Sequence, residues 1–273
     1  MKKKIGVIGY GSMGSMLLNG FINSKITKEL FVSNRSKEKI LFLENEGVII
    51  CSSNSELADN CDIIFLCVKP LEIKDVLLEI KSKLNDTKHI ICIAGSLKVI
   101  NLEKIISCKI TRIMPTVISE INEGITLVYH NARVSENDKI IIENLLRPFS
   151  ELKNTPEKEF SIISELTSCA PGIIAGIFRE YVKTASKFLN NDTNEIRKIV
   201  TKTLLGTSKF FYEGGYSFDD TIERVAMKGG TTEKGVTVLG EKLPEVFEKM
   251  FCEMLNSQKA REERIDEQYE IFK

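Results

Sequence analysis

The sequence carries no surplus of charge of either sign, since 38 Lys and Arg are matched by 38 Asp and Glu. That balance argues against nucleic acid or an anionic membrane as the main partner, because both select a basic surface. No uninterrupted apolar run approaches the ~20 residues that span a bilayer. The opening Met1-Lys-Lys-Lys-Ile-Gly-Val-Ile-Gly begins like a secretory signal but meets glycine after a few apolar residues and shows no cleavage site. It reads as a strand of a cytoplasmic protein. The seven cysteines (51, 61, 67, 92, 108, 169, 252) form no C-x-x-C pair, and neither histidine stands at zinc-ligand spacing, so no metal site is expected and most thiols read as reduced core residues. What is present is ordinary globular material: 42% apolar, 28% charged and 7% aromatic residues over 273 positions, enough for one large domain or two of moderate size.

Short β-rich runs alternate with amphipathic stretches through the first half. Strands are expected at Ile5–Ile8, Leu30–Ser33, Val48–Ile50, Ile63–Val68, Ile90–Ile93, Ile110–Ile113 and Ile125–Tyr129. Helical spacing recurs at Met13–Ile22, Lys37–Glu46, Ile73–Leu84, Leu102–Ile106 and Glu136–Leu146. Strands alternating with helices imply parallel pairing through right-handed crossovers, hence an α/β, doubly wound Rossmann-type sheet. From Pro156 the periodicity is helical throughout: Phe160–Ser168, Ile173–Leu189, Thr193–Phe211, Phe218–Arg224 and Pro244–Ile271. Two domains follow, a nucleotide-binding domain over 1–155 and an all-helical domain over 156–273. Asp192 or Thr193 is placed to cap one helix and Gly214-Gly215 to end it. The charged tail from Lys259 to Lys273 reads as a solvated helix end.

Gly9-Tyr10-Gly11-Ser12-Met13-Gly14 follows the first strand directly and opens a helix. In that context G-x-G-x-x-G is a dinucleotide signature: Gly9 permits the turn, Gly11 lets the backbone approach a pyrophosphate, and Gly14 packs helix against strand. About twenty residues on, an NAD-preferring chain usually places a carboxylate at the end of the second strand. Here the strand ends Ser33-Asn34-Arg35-Ser36. An arginine there pairs with a 2′-phosphate and stacks on adenine, aided by hydroxyl and amide donors. The expected cofactor is NADPH, with NADH as the alternative.

Further clusters fall where an open α/β sheet binds ligand, or in the helical half: Cys67-Val68-Lys69-Pro70, Ala94-Gly95, Arg112-Ile113-Met114-Pro115-Thr116, Thr167-Ser168-Cys169-Ala170-Pro171-Gly172 and Lys228-Gly229-Gly230-Thr231-Thr232. With the glycine fingerprint, their joint order and spacing make the chain resemble the pyrroline-5-carboxylate reductase family over essentially its full length. The resemblance implies a reductase that transfers hydride from NAD(P)H to the C=N carbon of 1-pyrroline-5-carboxylate, giving proline. It also implies a homodimer through the helical domain, assembled further in some members. By position, Asn54, Val68, Lys69 and Pro70 should lie along the cofactor, with Ala94 near the nicotinamide. The loop of Gly229, Gly230, Thr231 and Thr232 should hold the substrate carboxylate, with Thr232 positioning the substrate and relaying a proton. A Gly-rich turn offering amides is an anion nest, which agrees with that role. Imine reduction needs little side-chain acid–base chemistry, and His89 and His130 are not expected to take part.

The chain departs from the family's usual pattern at three places. Met114-Pro115 is followed by Thr116 where the family has Asn, the substrate loop begins Ala226-Met227-Lys228 where hydroxyls and a proline are usual, and Thr167-Ser168-Cys169-Ala170 replaces a Ser-Gly-Ser-Gly stretch. These changes are similar to a late-competence-associated branch of the family. Lys228 would then attract the carboxylate in place of the missing serine, a charge-assisted contact worth about 1.5–3 kcal/mol when desolvated; the alternative is that it points into water. Three other functions stay open at this level: reduction of another imino acid, a β-hydroxyacid dehydrogenase using Lys183 or Lys187 on the long helix, and a non-catalytic NADP-binding regulatory protein.

Overall fold

A computed structural model describes residues 3–25, 29–189 and 192–270. The first strand, β1 (Ile5–Ile8), leads through the glycine turn into α1 (Ser12–Ser24) and then β2 (Leu30–Ser33). Next come β3 (Ile49–Ile50), α2 (Asn54–Asn60), β4 (Ile63–Leu66), α3 (Ile73–Ile80), β5 (His89–Cys92), α4 (Val99–Glu103) and β6 (Lys109–Met114). The layer closes with β7 (Gly124–His130), α5 (Glu136–Leu146) and β8 (Ser150–Asn154). Sheet order is β3-β2-β1-β4-β5-β6-β7-β8, so the doubly wound arrangement is present and reverses direction between β1 and β4. All neighbours pair in parallel except β6 with β7.

The central strands are buried on both faces, as covered parallel sheets require. Along β4, Ile63 and Phe65 pack on one side with Met16, Leu17 and Phe21 of α1, while Ile64 and Leu66 pack on the other with Leu57 of α2 and Leu77 of α3. The period of two in side-chain direction therefore feeds two separate apolar layers.

Four local expectations are corrected. The stretch Lys37–Glu46 is not an α-helix but two 3₁₀ turns, Lys37–Lys39 and Leu41–Glu46, ended by Gly47 in the left-handed region at φ 78; Leu41 and Phe42 stay exposed, so no continuous apolar face exists to hold a longer helix. Helix α2 stands where no helix is expected, although its start signal is in the sequence: the Ser53 hydroxyl accepts the Glu56 N–H at 3.1 Å. Strand β8 is likewise unexpected, because Ser150-Glu151-Leu152-Lys153-Asn154 is an edge strand whose composition is polar and lacks a buried alternate face. The last helix begins not at Pro244 but at Thr231.

The helical half contains α6 (Phe160–Thr167), α7 (Ala170–Ala185), α8 (Thr193–Tyr212), α9 (Phe218–Val225) and α10 (Thr231–Tyr269). Asp192 caps α8 by accepting the Asn194 N–H at 3.1 Å, and Gly215 follows its end at φ 69. Helix α10 runs through Pro244, whose missing N–H leaves the Gly240 carbonyl without its helical partner. Two compact units result, 1–171 together with 255–273, and 172–254.

The tail is a further correction. It is not simply a solvated helix end: Ile265 and Tyr269, four apart on α10, are buried in the core beside Cys92 and Leu97. Lys98 pairs with Asp266 at 2.7 Å, and Lys74 donates to the Gln268 carbonyl at 2.7 Å. The i, i+4 apolar pair is hidden among charges that serve the other face. Residues 271–273 of the tail lie outside the described residues.

Candidate functional site

Three residues at the end of β1 carry a steric argument. Gly9 has φ 98, and its N–H donates to the Ser33 carbonyl at 2.8 Å. A Cβ on Gly9 would lie 2.7 Å from the Cys67 carbonyl oxygen, and one on Gly14 would lie 2.1 Å from the Gly9 carbonyl oxygen and 3.1 Å from Cys67 Cβ. Both glycines are thus required by protein contacts alone. Gly11 differs, because nothing lies within 4 Å of a Cβ placed there. It is the N-cap of α1, where no side chain caps the helix and no acidic residue stands in the first turn. The amides that open α1, those of Ser12, Met13 and Gly14, therefore present an uncapped positive helix end beside open space.

The segment after β2 divides its labour. Asn34 organises the turn: its Oδ1 accepts the Tyr10 N–H at 3.0 Å and its Nδ2 donates to the Ser36 carbonyl at 2.8 Å, so the amide is spent inside the protein. Arg35 stands out, with a side chain 89% exposed whose Nη1 lies 3.7 Å from Glu72 Oε1. Asn54, the first residue of α2, is joined to the end of β2 by the Ser33 hydroxyl, which donates to its Oδ1 at 2.8 Å; its Nδ2 donates to Glu79 at 2.7 Å. After β4, Val68 abuts Gly9, and Lys69 leads into a 3₁₀ turn, Pro70–Glu72, with Pro70 at its first position. The ends of β1, β2 and β4 thus bring Gly9, Gly11, Gly14, Asn34, Arg35, Asn54, Val68, Lys69 and Pro70 to one crevice at the point where strand order reverses.

Ala94 is buried in the loop after β5, and beside it lies an assembly to which the sequence reading assigns no role. Arg112 on β6 is 2% exposed, donates from Nη1 to Glu157 at 2.9 Å and from Nη2 to the Gly95 carbonyl, and lies 4.5 Å from the Phe160 ring centroid. Glu157 also accepts the Val99 N–H at 2.7 Å. A charge inside a strand of Ile110 and Ile113 is the available signal, since a buried guanidinium must be paired. Thr116, 1% exposed, has no hydrogen-bond partner for its hydroxyl.

Between α9 and α10, Gly229 takes φ 77. Its N–H donates to Glu233 Oε2 at 2.6 Å, and the Gly230 N–H donates to the Met227 carbonyl at 2.8 Å. The two amides assigned to a bound acid thus have protein acceptors here, one of them a carboxylate. Thr231 and Thr232 are exposed in the first turn of α10, and Lys228 and Met227 are exposed before it.

The histidines join a hydrogen-bonded chain, buried at His89 and Thr111 and half-buried at His130, at the opposite ends of β5 and β6 from the crevice. Thr111 Oγ1 lies 2.7 Å from both His89 Nε2 and His130 Nδ1. Burial lowers both histidines, His89 to about 3. Five cysteines are buried, and burial raises the Cys92 thiol to about 11. Among the described residues, no group of His, Cys, Asp and Glu could hold a metal ion.

Residues 4–95 match the family described as NADP oxidoreductase, coenzyme F420-dependent, and residues 157–263 match pyrroline-5-carboxylate reductase dimerisation. Pyrroline-5-carboxylate reductase 3 of Bacillus subtilis is 32% identical over 270 residues, covering 97% of this chain and 99% of that protein. ComE operon protein 4 of the same organism is 26% identical, covering 91% and 92%. Among solved structures, pyrroline carboxylate reductase of Plasmodium falciparum with NADP bound is 25% identical with a TM-score of 0.84, covering 97% of this chain and 99% of that one. Among the described residues, one helical stretch, Glu157–Ala185, is long and apolar enough to cross a bilayer by length and composition alone, and it falls inside the dimerisation match. From the glycine elbow at one end to the dimerisation helices at the other, this chain belongs to the pyrroline-5-carboxylate reductase family.

Proposed function

We propose that this protein reduces 1-pyrroline-5-carboxylate to proline with NADPH, accepting NADH as the alternative. What carries the reading is the contrast within the glycine elbow: Gly9 and Gly14 are filled by backbone, whereas Gly11 opens onto free space at an uncapped helix start. The elbow fits a pyrophosphate, and the exposed guanidinium of Arg35 fits a 2′-phosphate. When bound, the dinucleotide supplies the hydride that the substrate's C=N carbon accepts.

The remaining work falls to this chain's own groups. The amides of Ser12, Met13 and Gly14 hold the pyrophosphate. Arg35, with Ser36, holds the adenosine end, while Asn34 and Asn54 fix the turn around it and act as positioning residues. Val68, Lys69 and Pro70 border the crevice, and Ala94 offers an apolar wall held in place by the bond from Arg112 to Gly95. In the helical half, Gly229, Gly230, Thr231 and Thr232 receive the substrate carboxylate, with Lys228 supplying charge. For Gly229 this means that an incoming carboxylate takes the place of Glu233 on its N–H. Thr232 orients the ring and passes a proton to the product nitrogen. The functional division is a cofactor domain over 1–155 and a substrate and dimer domain over 156–273, acting as a cytoplasmic homodimer. Exposed Ile162, Leu166, Ile174 and Ile177 give the helices apolar faces for a second copy to cover.

A second reading, a dinucleotide-binding protein without turnover, draws on the carboxylate that already holds Gly229 and on the likeness to ComE operon protein 4. Incubation of the purified chain with NADPH and 1-pyrroline-5-carboxylate decides. Loss of NADPH absorbance with stoichiometric proline supports the reductase. Dinucleotide binding without oxidation by any cyclic imine supports the second reading, and binding of neither dinucleotide defeats both.

A further inference from the structure

The loops after β2 and β4 flank the end of β1, and one ion pair joins them across it: Arg35 to Glu72. The two partners are built differently. Arg35 is almost fully exposed and reaches out on a flexible stem, whereas the Glu72 carboxylate is anchored to its own turn, with Oε2 accepting the Lys69 N–H at 3.3 Å while Oε1 faces Arg35 at 3.7 Å. The carboxylate is therefore a fixed negative charge and the guanidinium a movable positive one.

We propose that Glu72 sets how strongly this chain prefers a dinucleotide bearing a 2′-phosphate, by competing with that phosphate for Arg35. The inference rests on the nucleotide-binding reading above. An exposed pair at this distance contributes little to stability and exchanges readily. A phosphate dianion offers Arg35 more charge and more acceptor oxygens than one carboxylate, so it wins the exchange. Winning leaves Glu72 unpaired close to the anion that displaced it, and like charges in solvent repel with a strength that salt reduces. A ribose without the phosphate leaves the pair standing and meets no such penalty. Glu72 thus narrows the gap between the two dinucleotides, although it stands on a different strand's loop from the position usually read for that choice.

Glu72→Gln is the informative change, because an amide oxygen still accepts the Lys69 N–H while the charge is gone. Calorimetric titration of the full chain with NADP⁺ and with NAD⁺, at low and high salt, reads the effect directly. The expected result is an NADP⁺ Kd lowered about three- to tenfold at low salt, a smaller gain at high salt, and an NAD⁺ Kd moved less than about twofold. In an Arg35→Ala background the same substitution should improve NADP⁺ binding clearly less, since the contested group is absent and only the direct repulsion of Glu72 is relieved. Glu72→Ala is read the same way if the glutamine chain fails to fold. An unchanged ratio of the two Kd values, weaker NADP⁺ binding, or an equal gain without Arg35 overturns the proposal while leaving the nucleotide reading intact. A wild-type chain that binds neither dinucleotide removes both.

Discussion

Gly11→Ala and Gly14→Ala are the same chemical change three residues apart, and the structure assigns them opposite consequences. At Gly11 the backbone is extended (φ −92, ψ −167), and a methyl meets no atom within 4 Å. The alanine gains about 0.4–1 kcal/mol by restricting the unfolded chain and loses a similar amount, about 0.5–1 kcal/mol, as a poorer N-cap. The two offset, so Tm should stay within about 2 °C of wild type, while a methyl over the helix start keeps a pyrophosphate at arm's length. We expect NADP⁺ to bind at least about 30-fold more weakly, or about 2 kcal/mol.

At Gly14 the methyl would sit 2.1 Å from a backbone oxygen. Relief requires moving α1, and with it Leu17, Leu18 and Phe21 in the apolar layer. Overpacking of this kind costs about 1–3 kcal/mol, which lowers Tm by about 2–4 °C per kcal/mol. Thermal unfolding and NADP⁺ titration, run on both variants, separate the two effects. A Gly11→Ala chain that binds within about threefold of wild type, or a Gly14→Ala chain as stable as wild type, would refute the steric reading of the elbow.

Arg112→Met removes the guanidinium from Glu157 and the Gly95 carbonyl; because Glu157 keeps 22% exposure and still accepts the Val99 N–H, urea unfolding should show a loss of about 1.5–3 kcal/mol rather than the full cost of a stranded buried charge, and a loss below about 1 kcal/mol would mean that the pair holds nothing. For His89 the folded pKa, about 3, lies below the unfolded value near 6.5. The unfolded chain therefore binds a proton that the folded one refuses, and stability present above about pH 6.5 falls as pH drops toward about 3, by up to about 1.4 kcal/mol per unit. Urea midpoints measured from about pH 7 to about pH 5 should fall in wild type and fall less in His89→Gln; equal slopes would count against the buried neutral histidine. Lys228→Ala should raise KM for the imino acid about tenfold with little change in kcat, in keeping with one charge-assisted contact, and unchanged kinetics would leave Lys228 a solvated lysine.

The parallel core is legible in the sequence because β-branched runs buried on both faces have few other readings, and the elbow because G-x-G-x-x-G stands between a strand and a helix. Strand β8 escapes since an edge needs only backbone partners, which Glu151 and Lys153 supply as well as valine would. Helix α2 escapes although Ser53 and Glu56 spell its cap, because seven residues are too short for periodicity to register. Glu72 escapes for another reason: nothing local marks a glutamate as the counter-charge of an arginine on a different strand's loop.

The sequence alone determined what depends on neighbours along the chain: a turn that must have glycine, strands that must be covered, and a family signature read in order. Tertiary structure alone decided what depends on neighbours in space. It buried Ile265 and Tyr269 out of a charged tail, closed Arg112 onto Glu157 and set Glu72 against Arg35. Charge and apolarity act through distance, and the spacing of letters records distance only within a helix turn or along a strand.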